Sequence, residues 1–132
     1  MKTEKIELGI MYAEFIISGI SYIQEEISNL LNIDSTYIEN NSSWVWKSEP
    51  ISCISTDEPI KTIINTFSSK VKIIQTMCVE MNLQTHIKLY VEIIGGDLPD
   101  PVLSFTPESI IFLESIQSDI EIVMINWPTI PE

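Results

Sequence analysis

The chain moves between two hydrophobic periods, one of two residues and one near four, and the changes of period mark out its elements. Up to Ser18, Met11, Ala13, Phe15 and Ile17 share one side of an extended chain, and Tyr12, Glu14 and Ile16 share the other. This reads as a strand with one dry and one mixed face. Gly19 interrupts it. Ser21 and Gln24 then have the spacing of a capping box, and Ile23, Ile27, Leu30 and Leu31 recur at helical spacing opposite Gln24, Glu25, Glu26, Ser28 and Asn29.

Residues 34–43 read as a polar connection rich in turn formers. Trp44, Val45 and Trp46 alternate as a strand with both tryptophans on one side, Glu49 and Pro50 make a turn, and 51–55 runs back, which predicts a hairpin. Thr56 or Asp57 suits a helix cap, with Glu58 and Pro59 in the first turn. Ile60, Ile63, Ile64, Phe67, Val71, Ile74, Met77, Cys78 and Met81 continue one helical stripe to Asn82, with a break or kink expected at Ser68 and Ser69. In 86–94, Ile87, Leu89, Val91 and Ile93 alternate strictly with His86, Lys88, Tyr90 and Glu92. A loop rich in glycine and proline follows over 95–101. Thr106, Pro107 and Glu108 open a last helix whose Ile110, Ile111, Leu113 and Ile116 are read as facing inward. Residues 119–126 form a final strand with Ile120, Ile122 and Met124 on one face, and 128–132 is a loose end.

Strand, helix, two short strands, a long helical region, strand, helix, strand: this order predicts an α+β fold in a single domain spanning 1–132. Its sheet is mixed or mostly antiparallel, with helices packed on one face. The first six elements follow the ferredoxin-like order βαββαβ, extended by a C-terminal αβ unit.

Composition narrows the partners. The formal net charge is −12, every basic residue is a lysine, and eight acids but no base follow Lys88. Without the bidentate fork of arginine and with net repulsion of phosphate, nucleic acid is an unsuitable ligand. No uninterrupted apolar run reaches the length of a membrane span, and 1–7 lacks a secretory pattern, so a cytoplasmic protein is expected. Cys53 and Cys78 stand far apart, which suits two reduced thiols rather than a disulfide or a zinc site. No cofactor or metal is predicted.

The residues that carry chemistry form no known catalytic pattern. Glu25 and Glu26 are neighbours on a helix and diverge by about 100°. The Gly95–Gly96 pair lacks the third glycine and the lysine of phosphate-binding loops. His86 is the sole histidine and needs a partner, with Glu92 or Glu14 as candidates if the strands pair suitably. What remains is a surface: Tyr12, Glu14, His86, Lys88, Tyr90, Glu92 and Glu121 occupy the polar phase of three strands, and Trp44 and Trp46 are candidates to join them. Aromatic side chains ringed by charge suit protein recognition.

The chain resembles the bacterial domain of unknown function 4279 family. The resemblance is carried by residues 15–19, by Glu25, Glu26, Ile27, Leu30, Leu31 and Ile33 leading into Asp34, Ser35 and Thr36, and by a tryptophan within 44–46. It continues through the strand at 86–94, through Pro101, Ser104 and Glu108, and through DIEIVMINW. Asn32 stands where the family usually has glycine, and Trp127 where it has tyrosine. The resemblance implies a small bacterial or phage-borne cytoplasmic α+β protein and transfers no catalytic residue.

The expected function is therefore a non-enzymatic acidic protein, monomer or homodimer, that binds and neutralises or modulates a basic protein partner, of the immunity or phage anti-defence type. A small-molecule-binding regulatory domain, with a pocket between the sheet and the long helical region near 95–101, is the alternative. An enzyme using His86 is the third.

Overall fold

A computed structural model describes residues 9–19, 24–39, 43–53, 55–94 and 101–127. The capping-box serine at 21, the loop at 95–100 and the tail at 128–132 fall outside the described residues. The elements run β1 (Ile10–Ser18), α1 (Gln24–Leu31), β2 (Tyr37–Glu39), β3 (Ser43–Lys47), β4 (Ile51–Ser52), α2 (Asp57–Phe67), a 3-10 turn (Ser68–Lys70), α3 (Val71–Glu80), β5 (Gln84–Ile94), α4 (Pro107–Ser115) and β6 (Asp119–Trp127). The chain is α+β, and its sheet is open and mixed, in the order β2-β3-β1-β5-β6, with β4 also on β1. The named strands pair antiparallel except β5 with β6, which are parallel, and Ser55 forms an isolated parallel bridge with Val102. The order β5-β1-β3-β2 is a split βαβ arrangement, built with β2 and β3 rather than with 44–46 and 51–55, and the α4–β6 unit adds one parallel strand beside β5.

β1 is the hub because it pairs along its whole length. On one side it meets β5 from Ile10↔Glu92 to Ser18↔Gln84. On the other it meets β3 and then β4, and the register slips by one residue between Glu14↔Lys47 and Met11↔Ile51. Ser48 sits at that bulge. Its amide donates to the Ala13 carbonyl (2.9 Å) and its hydroxyl accepts from the Ala13 amide (2.9 Å), so the side chain replaces the missing ladder bond. The expected hairpin between 44–46 and 51–55 is thus corrected. β3 and β4 run the same way along one edge of β1, and the true hairpin partner of β3 is β2, inside the stretch read as a polar connection.

The four described helices contribute to a single layer on one face. Ala13, Phe15 and Ile17 of β1 and Ile87 and Leu89 of β5 meet Ile27 and Leu31 of α1, Ile60, Ile63, Ile64 and Phe67 of α2, Ile74 and Met77 of α3, and Phe112 and Ile116 around the end of α4. Phe67 is at the centre, with ring centroids 4.7 Å from Phe15, 6.1 Å from Trp44 and 5.4 Å from Trp46. The break expected at the serine pair is the 3-10 turn, which bends one long apolar stripe into α2 and α3.

Two helical phases differ from expectation. In α1, Leu30 is 46 % exposed while Ile27 and Leu31 are buried. In α4, Ile110 and Ile111 face solvent, and Ser109, Phe112 and Ile116 face the core. The cause is polar. Ser109 is drawn inward because its hydroxyl donates to Asp57 Oδ1 at 2.7 Å, which rotates the isoleucines outward. Asp57 also accepts from the Thr106 amide (3.0 Å), and Thr56 Oγ1 accepts from the Ser104 amide (3.1 Å); Thr56 stands at the N-cap of α2 as expected, but its side chain makes no capping bond and, with Asp57, ties the start of α2 to 102–109. The side-chain oxygen at the start of α2 is that of Ser55, which accepts from the Asp57 amide (3.2 Å). Thr106 caps α4, accepting from the Ser109 amide (3.3 Å).

Asn32 lies in the left-handed region, φ 58°, at the end of α1, which is the conformation that favours glycine.

Candidate functional site: the open face of the sheet

Because successive strand residues point to opposite faces, the residues out of phase with the core line the face that none of the described helices covers. The register brings seven of the expected residues together there. Tyr12 is opposite Tyr90, Glu14 is opposite Lys88, and Glu92 is opposite Ile10 across β1 and β5. His86 is opposite Asp119 and Lys88 opposite Glu121 across β5 and β6.

At the centre, the Tyr12 and Tyr90 rings stack with centroids 4.7 Å apart and planes 14° apart. Lys47 Nζ lies 4.5 Å from the Tyr12 centroid, a cation–π contact. The Tyr90 hydroxyl donates to Glu14 Oε1 at 3.1 Å. Glu14 is only 6 % exposed and Ile16 beside it 7 %, although none of the described helices packs on this face. Burial, followed by the charge of Glu92 with its hydrogen bond and the charge of Glu14, pushes the Tyr12 hydroxyl above the usual tyrosine value. It remains a neutral donor among carboxylates.

Toward β6 the face becomes acidic. His86 Nδ1 contacts Asp119 Oδ1, and His86 Nε2 lies 3.2 Å from Glu121 Oε1. The imidazole is therefore held between two exposed carboxylates. Neither Glu92 nor Glu14 is its partner, and neither described hydrogen bond of His86 goes to a hydroxyl or thiol. Among the described residues, no three histidine, cysteine or acidic side chains are grouped to hold a metal ion.

Trp44 and Trp46 do not join this face. Their register partners are Ile17 and Phe15, which places them on the helix-covered side. Trp44 is fully buried and its indole Nε1 donates to Ser28 Oγ at 2.9 Å, while Trp46 packs edge-on against Phe67. Val45, between them, is the residue on the open face. Sequence reasoning missed Lys47 and Asp119. Lys47 is in phase with Val45 and Asp119 is two residues before Glu121, so strand alternation already contained the signal for both.

The remaining candidate chemistry is subdued. Burial, then the charge of Glu58, pushes the Cys53 thiol up to about 11, and burial also raises Cys78, so both resist ionisation. A groove of about 280 Å³ opens between α1 and α3, lined by Leu30, Ile73, Met77 and Met81 with Lys72 and Glu80 among its polar residues.

The model of one protein family, described as Domain of unknown function (DUF4279), matches residues 9–127. The chain belongs to the DUF4279 family. The match covers every described strand and helix, and the open face lies wholly within it. No curated protein and no solved structure matches the chain. No helix in the described residues is long and apolar enough to cross a membrane.

Proposed function

We propose that this DUF4279 chain is a non-enzymatic binding protein that neutralises or modulates a basic protein partner through the open face of its sheet. The observation that carries this reading is the stacked Tyr12–Tyr90 pair bordered by Glu14, Glu92, Asp119 and Glu121 on the face opposite the described helices. Tyrosines already locked by stacking and hydrogen bonds lose little entropy when a partner covers them. The surrounding carboxylates, in a chain of net charge −12, attract positive surface and speed encounter with it. Proteins that act on nucleic acid carry such positive surfaces, so a small acidic inhibitor of the immunity or phage anti-defence type is the biological form we assign, acting in the cytoplasm.

The test is affinity capture from a lysate of the source cells, with the retained protein identified and then purified. A basic partner should bind at about 50 mM salt and weaken steeply by about 500 mM, as the screening length contracts. Glu92→Lys with Glu121→Lys should slow its association, and Tyr90→Ala should speed its release. A partner whose binding ignores all three substitutions and the salt would overturn the reading.

The α1–α3 groove favours a second reading, a small-molecule-binding domain. Its methionines adapt to irregular apolar ligands. The groove is lined by α1 and α3, whereas the 95–100 loop, near which a pocket is expected from sequence, falls outside the described residues. A ligand screen in which Met77→Trp abolishes every thermal shift would favour it, and a screen without hits would dismiss it.

A further inference from the structure

We propose that the outer edge of β6 is a self-association surface, on which a second copy of this chain adds its own β6 in antiparallel register to form one continuous sheet. β6 pairs with β5 over nine consecutive residues, from His86↔Asp119 to Ile94↔Trp127, without a bulge. Among the described residues no strand pairs with its other side. Every second residue of such an edge directs its N–H and C=O outward, unpaired.

Protein edges are commonly protected by brevity, a bulge, lysine or proline. The opposite edge of this sheet is protected by brevity, since β2 has three residues. The side of β1 shared by β3 and β4 carries the Ser48 bulge. β6 has nine residues and none of these devices. Its only charges are Asp119 and Glu121 at the start, and residues 122–127 carry none. Met124 is 45 % exposed, and α4, which leads into β6, exposes Ile110 and Ile111.

The self-compatible order of β6, with acids at its start and an uncharged end, points to a second copy as the occupant. In an antiparallel pair related by a two-fold axis at Val123, Asp119 of one copy is opposite Trp127 of the other, Glu121 opposite Ile125, and Met124 opposite Ile122. No acid faces an acid. An axis perpendicular to the sheet is the one that relates antiparallel edge strands, and it keeps both open faces on the same side and both helical layers on the other. The tyrosine and carboxylate surface is then presented twice on one broad face. Since each copy carries −12, repulsion opposes pairing at low ionic strength and salt relieves it.

Sedimentation velocity of the full chain across a concentration series, at about 50 and about 500 mM sodium chloride, tests this directly. The expected result is a monomer–dimer equilibrium that tightens at the higher salt. Met124→Lys should weaken it about tenfold or more, because it places a charge against an apolar strand. Opposed residues at the two-fold lie within about 5.5 Å, inside disulfide reach, so Val123→Cys in a Cys78→Ser background should form a covalent dimer under mild oxidation. Val79→Cys, 83 % exposed on α3, should not. A chain that stays monomeric at every concentration and both salts overturns the proposal. So does a dimer indifferent to Met124→Lys, or one in which Val79→Cys cross-links as readily as Val123→Cys.

Discussion

Replacing Ser109 by alanine probes the polar clasp that sets the phase of α4. The Ser109 hydroxyl donates to Asp57 Oδ1 at 2.7 Å, with Ser109 fully buried and Asp57 6 % exposed. A hydrogen bond to a charged group contributes about 1.5–3 kcal/mol, so Ser109→Ala should cost about 2 kcal/mol at pH 7. For a chain of this size each kcal/mol is worth roughly 3–5 °C, which puts the expected fall in Tm near 6–10 °C. The Thr106 amide and Lys61 Nζ (3.5 Å from Oδ2) remain to hold the carboxylate, so the fold should survive. Burial pushes the Asp57 carboxyl up, but the Ser109 hydroxyl, the Thr106 amide and Lys61 together outweigh it and hold the group below the usual carboxylate value. A group depressed in the folded state contributes its stability above its unfolded value, about 3.9, and loses it as pH falls through the folded one. Urea melts should therefore show a constant gap between wild type and Ser109→Ala from pH 8 to about 5, closing below about 4. Paired with Asp57→Asn in a double-mutant cycle, the two sites should couple by about 1–2 kcal/mol. A gap under about 0.5 kcal/mol at pH 7, or one unchanged at about pH 3, would refute the assignment.

Two further predictions concern backbone geometry. A Cβ at Gly19 would lie 2.8 Å from the Asn82 carbonyl oxygen and 2.8 Å from Leu83 Cδ2, so Gly19→Ala should destabilise by about 1–3 kcal/mol in denaturant melts, and a neutral result would mean the turn before β5 yields freely. Gln117 follows α4 at φ 53°, where its amide donates to the Glu114 carbonyl; Gln117→Gly should stabilise by about 0.5–1 kcal/mol, and a loss of stability would show that its side chain matters more than its backbone.

What could be read from the sequence follows the length of each alternating run. β1, β5 and β6 alternate for nine residues or more, so their faces could be assigned before their pairing was known, and seven residues of the open face followed. The segment at 44–46 is too short for this. Its alternation shows that the tryptophans share a side, and only the register with Phe15 and Ile17 says which. The hairpin expected over 44–55 fails for a related reason: Glu49 and Pro50 look like a turn between two strands but sit in a bulged edge, and no local signal separates the two cases. In α4 the periodicity itself misled. Three isoleucines and a leucine outvoted one serine, yet a buried carboxylate on another element offered that serine a stronger reason to turn inward. The His86 partners were hidden by topology, since Asp119 becomes its neighbour only through the parallel β5–β6 pairing.

The two association surfaces proposed for this chain should respond to salt with opposite signs, and that separates them experimentally. Both arise from the same composition. An excess of acid makes the open face attractive to a basic partner and makes two copies repel, and added salt weakens the first interaction and relieves the second. The open face is rich in carboxylates around the tyrosines, whereas 122–127 of β6 is the uncharged part of the adjoining strand. A titration of ionic strength on one sample, followed by mass for the dimer and by capture for the partner, should therefore give curves that cross. On these two proposals, the favoured species at low salt should be a monomer bound to a basic partner, and at high salt a partner-free dimer. The exception is a partner basic enough to neutralise both copies. Its binding would remove the repulsion that opposes β6 pairing, so dimerisation at low salt should appear only when that partner is present, and Met124→Lys should abolish the dimer while leaving capture intact.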